Sequence, residues 1–233
     1  MEDSIDKFVR GRSRAMRESF FKSLIFFTVA AILLSSDLYA GETVPAEARE
    51  VAKREVSRIV NTWDRWVIDD WFMPSDKASD VHLGDGYGYY RIEPEKLVKF
   101  SADDDFYSVL TFVYYKFPIY VGDEPRTLIS LVKRDNKWRF SDLGGDPNPI
   151  TEARERWPKE EGYNHSYALM LRGPDFIILE KGDTLSLYSF RKRSESTLDI
   201  KKGEDGFYPL LDPGYVTRKL RPRIKARLEK RKP

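Results

Sequence analysis

The chain has 233 residues, 40 of them basic and 38 acidic, so a formal charge of +2 gives no net field that points to nucleic acid or to an acidic substrate. It contains no cysteine, which excludes disulfides, thiolate metal ligands and cysteine nucleophiles together. Glutamine is also absent, Asn occurs four times and a third of the residues are charged, a composition that leans toward growth at high temperature.

Lys7, Arg10, Arg12, Arg14, Arg17 and Lys22 precede an uncharged apolar run at 24–34, and small residues follow up to Ala40. Basic then apolar then small is the order of a cleavable export signal, so residues 1–40 are expected to be a signal peptide and the mature chain to be periplasmic or extracellular. The eleven apolar residues fall short of the roughly 20 needed to cross a bilayer. The alternative address is an inner-membrane anchor that uses residues 24–40 uncleaved. A start at Met16 instead of Met1 shortens the leader.

From Pro45, the residues Ala48, Ala52, Val56, Ile59, Val60, Trp63, Val67 and Trp71 recur at steps of three and four, with charges on the other faces. This predicts one amphipathic helix that Pro74 ends, with Glu50 and Arg54 as an i,i+4 pair. Residues 73–88 read as loop, 87–92 as a short strand and 93–100 as a turn of helix. Asp103, Asp104 and Asp105 are adjacent and lack the alternating spacing of a calcium loop.

Residues 107–143 carry three runs rich in β-branched and aromatic residues, separated by turn-forming clusters, and they predict an antiparallel meander. Both faces of the first run are bulky, so it is covered on both sides or sits inside a sheet. Pro118 predicts a bulge or edge where that run ends, and Asp135 with Asn136 supplies a tight turn. The fold class is therefore α+β: an N-terminal amphipathic helix on an antiparallel meander, then a second, smaller region of helix plus strands. Residues 144–149, with two glycines and two prolines, mark the expected boundary between a domain at 41–147 and a subdomain at 148–216. In the latter, a short helix ends at Pro158 and three strands follow. The tail at 217–233 has nine Lys or Arg against one Glu, with Leu220, Ile224 and Leu228 as one apolar stripe. A weak contact with an anionic surface is the reading it supports, with no specific nucleic acid.

Chemistry is sparse. His82 and His165 are the only histidines and form no metal-ligand pair. No GxSxG, P-loop or GxGxxG occurs, and the GDGYG at 84–88 lacks phosphate-loop spacing. No catalytic residue, metal or cofactor is assigned. Asp69 and Asp70 beside Trp66 and Trp71 are the carboxylates best placed to lie among large apolar groups. With the tyrosines of 87–90 they give the candidate ligand-binding set Trp66, Asp70, Trp71, Tyr87 and Tyr90.

A long helix followed by a meander that closes on Asn136, Lys137, Trp138, Arg139, Phe140 and then Leu143 and Gly144 resembles the layout of cystatin-like and NTF2-like α+β domains over residues 45–145. The resemblance implies a curved sheet wrapped on a helix, a layout that hosts isomerases, inhibitors and non-catalytic binding modules alike. The expected function is that of an exported, non-enzymatic protein that binds a small ligand or a protein partner. The alternatives are a small acid–base enzyme and a membrane-anchored subunit of an envelope complex.

Overall fold

The computed structural model describes residues 44–68, 71–101, 104–171 and 173–230. The leader expected at 1–40, Asp69, Asp70 and Asp103 lie outside the described residues. Thr43–Pro233 forms one compact unit of α+β class.

Its elements are α1 (Ala46–Asn61), α2 (Trp63–Ile68), β1 (Val81–Leu83), β2 (Tyr87–Ile92), α3 (Pro94–Lys99), β3 (Leu110–Val121), β4 (Glu124–Arg134), β5 (Lys137–Leu143), α4 (Asn148–Arg156), β6 (Tyr163–Leu169), β7 (Asp175–Lys181), β8 (Thr184–Tyr188), α5 (Arg193–Leu198), β9 (Leu210–Leu211) and α6 (Pro213–Glu229). One sheet contains every strand among the described residues, in the order β5-β4-β3-β2-β6-β7-β8-β9, with β1 on β3 beside β2.

The expected first helix divides at Thr62. Its hydroxyl folds back to the Arg58 carbonyl at 2.8 Å, an internal bond that competes with the helical ladder, and Trp63 then lies on Phe72 with ring centroids 4.6 Å apart. Ala48, Ala52, Val56 and Ile59 are buried as their spacing requires, and they pack with Tyr115, Phe117, Ile119, Ile129 and Leu131 of the meander. Glu50 pairs with Lys53 at 2.8 Å, not with Arg54.

The meander forms at β3, β4 and β5, and Asp135 and Asn136 both take positive φ (51° and 57°) in its tight turn. Pro118 lies inside β3, and the expected irregularity follows it as a register shift between Ile119 and Tyr120. The proline pairs with Leu128 mid-strand, and its carbonyl accepts from the Gly84 N–H at 2.8 Å. That edge of β3 is where β2 stops and β1 begins, so the missing proline N–H falls in a gap of the ladder and no hydrogen bond is lost.

The segments on either side of residues 144–149 share the sheet. β2 pairs with β6 in parallel, Tyr89 opposite Tyr167, and one hydrophobic cluster takes Tyr87, Ile92, Leu97 and Leu128 from the first segment and Ile150, Phe176, Leu187 and Ile224 from the second. Phe176, Ile177, Ile178 and Leu179 are all buried, so β7 is covered on both faces, as near-continuous hydrophobic strands are. The expected tail is an integral helix. α6 begins at Pro213, capped by the Asp212 carboxylate, and runs through Pro222, whose exposed position puts the lost hydrogen bond on the solvent side.

Candidate functional site

β2 sits between β3 and β6, and its outward residue Tyr89 lies opposite Tyr114 on one side and Tyr167 on the other. The rings stack. Tyr89 and Tyr114 have centroids 4.6 Å apart and planes 25° apart, and Tyr89 and Tyr167 are 4.8 Å and 8° apart. These spacings match the distance between neighbouring strands, about 4.8 Å, so the side chains stand off the sheet as rungs of one ladder. Phe190 extends the row beyond Tyr167 at 5.8 Å.

A ladder of this kind uses up ring faces internally and offers ring edges and hydroxyls outward. Burial raises the pKa of Tyr89 and Tyr114 and pushes Tyr167 up to about 12, so all three hydroxyls stay protonated and able to donate at any physiological pH. Tyr89 and Tyr114 are half-buried and Tyr167 is buried.

Charges border both ends. The Lys116 ammonium lies 5.2 Å from the Tyr89 centroid and 5.4 Å from that of Tyr114. Burial lowers its pKa, and the nearby Asp142 carboxylate opposes the shift. At the far end the Asp175 carboxylate, 1% exposed, is held by Arg191 Nε at 2.5 Å and Arg193 Nη2 at 3.1 Å. Its Oδ1 is buried without a hydrogen-bond partner. Burial accordingly outweighs the two guanidiniums and raises its pKa.

No protein-family model matches this chain, and neither a curated protein nor a solved structure matches it. None of these comparisons supports the likeness to cystatin-like and NTF2-like domains drawn from the sequence.

Of the candidates named from the sequence, Trp71 lies in a different hydrophobic cluster from Tyr87 and Tyr90. Trp71 belongs to the α1 side of the sheet, and a Cβ on Gly144 would lie 2.7 Å from its ring. Tyr87 and Tyr90 are 3% and 7% exposed in the other cluster. The Arg154 guanidinium covers the Tyr87 ring at 5.6 Å while donating to the Asp85 and Gly86 carbonyls. A bulge between Tyr89 and Tyr90 turns Tyr90 against Phe112 and Tyr107, edge to face. The Trp66 side chain and Asp70 lie outside the described residues. Tyr114, Lys116, Tyr167 and Asp175 were missed because only the cross-strand register aligns them; the one readable signal was a tyrosine in each of three predicted strands. Among the described residues, no three His, Asp or Glu side chains are grouped as metal ligands.

Proposed function

We propose that this is an exported protein that holds an acceptor-rich, carboxylate-bearing ligand on the tyrosine ladder without transforming it. One observation carries the reading: the half-buried tyrosines Tyr89 and Tyr114, whose hydroxyls stay protonated, stand beside the half-buried ammonium of Lys116. A carboxylate brought to Lys116 adds to the long-range attraction of Asp142, and acceptors along the ligand take the hydroxyl protons. The basic and apolar leader supports the address, with a mature N-terminus at Gly41, or with residues 24–40 kept as a membrane anchor.

Isothermal titration with a panel of simple di- and tricarboxylates and uronic acids tests the site. Binding is expected for at least one class, weakened more than tenfold in Lys116→Met and Tyr114→Ala. Equal binding by both variants and the parent, or binding of none of the panel, overturns the reading.

A second reading, an acid–base enzyme, is supported by the lowered pKa of Lys116, whose ammonium gives up its proton more readily than that of an ordinary lysine. Turnover of a bound probe that is lost in Lys116→Met distinguishes the two.

A further inference from the structure

The corner where α3, α6 and the β6–β7 turn meet is remote in purpose from the ladder and combines two features. The first is charge. α6 carries six Lys or Arg against Glu229, and α3 adds Lys96 and Lys99 against Glu95. The helices pack together, and Arg221 donates to the Phe100 carbonyl at the end of α3. Lys96, Lys99, Lys225 and Arg227 are all exposed.

The second feature is apolar. Between the end of β2, the β6–β7 turn and the last turns of α6 lies a cleft of about 480 Å³, floored by Ile92, Met170 and Ile224 and walled by Leu171 and Leu228. Glu93 and Glu95 are on its β2–α3 lip, the former paired with Arg91 at 2.7 Å. Leu171 projects from the turn with 60% of its surface exposed, held there by Arg227, which donates to its carbonyl at 3.3 Å.

We propose that this corner docks on an anionic lipid bilayer, with Leu171 entering the headgroup boundary and the α3 and α6 cations meeting the lipid phosphates. An exposed leucine beside Arg227, on a corner whose two helices carry more cations than acids, matches that partner, because interfacial binding adds apolar burial to attraction for anionic lipid. Single-stranded nucleic acid is the poorer fit, since the group projecting among the cations is aliphatic and offers no ring for a base to stack on.

Co-sedimentation of the full chain with vesicles of phosphatidylcholine alone, and of phosphatidylcholine mixed with phosphatidylglycerol, tests it. The neutral vesicles read any affinity that the leader contributes, which every variant shares. Adding phosphatidylglycerol is expected to raise partitioning by roughly tenfold or more, and high salt to remove that gain. Leu171→Glu and Lys225→Glu are each expected to cut the gain by roughly tenfold. Lys96→Glu with Lys99→Glu, at exposed sites on the other helix, gives the same result independently of the fold of α6, and circular dichroism confirms that each variant is folded. Variants that partition onto the anionic vesicles as the parent does overturn the proposal, as does a short RNA oligonucleotide that binds more tightly than those vesicles.

Discussion

Tyr89→Ala removes the middle rung of the ladder, and the structure sets the size of the loss. Two ring stackings disappear, at 4.6 and 4.8 Å, each contributing about 0.5–1.5 kcal/mol beyond area burial. A half-buried tyrosine ring also gives up on the order of 100 Å² of burial, about 2.5 kcal/mol at roughly 25 cal/mol per Å². The sum is about 4 kcal/mol, which lowers Tm by roughly 8–16 °C in a domain of this size. Urea unfolding followed by circular dichroism measures it. Tyr89→Phe, which keeps both stackings, is expected to lose no more than about 1 kcal/mol. A double-mutant cycle between Tyr89 and Tyr167 isolates the contact that joins β2 to β6, with an expected coupling of about 0.5–1.5 kcal/mol. A loss under about 1 kcal/mol for Tyr89→Ala, or a coupling indistinguishable from zero, refutes the ladder as a structural seam.

Burial raises the folded-state pKa of Asp175. The folded chain therefore binds its proton more readily than the unfolded chain, so ionisation costs stability as pH rises from the ordinary Asp range through the raised value. The urea midpoint of Asp175→Asn relative to the parent is expected to improve as pH is raised from 3 to 7; a relative decline would mean that Arg191 and Arg193 win over burial. His165 is displaced in the opposite sense. Burial depresses its pKa from 6.5 to about 4, so it contributes stability present above pH 6.5 and lost as pH falls toward 4, and its ring proton resonances in NMR should not move between pH 8 and 5. Gly144 has φ +148°, and a Cβ there would meet the Trp71 ring at 2.7 Å. Gly144→Ala is expected to cost about 1–3 kcal/mol in the same urea assay, and an unchanged midpoint would show that Trp71 swings aside freely.

What the sequence disclosed was local. Alternation and β-branched residues announced β3, β4 and β5, and Asp135 with Asn136 announced their turn, because those signals are carried by neighbours in the chain. The three-four spacing of Ala48, Ala52, Val56 and Ile59 placed α1 for the same reason, whereas the break at Thr62 depends on Trp63 finding Phe72. Val81 to Leu83, read as loop, becomes a strand only because the far half of β3 offers it an edge. The aromatic cluster at 87–90 drew attention to the strand that carries the ladder, through Tyr87 and Tyr90 and not through Tyr89. The bulge after Tyr89 resets the alternation, which buries Tyr90 and leaves Tyr89 to meet tyrosines from strands that no local pattern connects.

The parallel join of β2 to β6 also has a temporal consequence. All of β3, β4, β5 and α4 lie between the two strands in the chain, so a growing polypeptide finishes the α1-covered meander before β6 exists to close against it. The entropy of closing so long a loop delays that contact further. Until it closes, β2 presents a bare edge bearing Tyr89, the very position from which a second unfinished copy would find it easiest to pair.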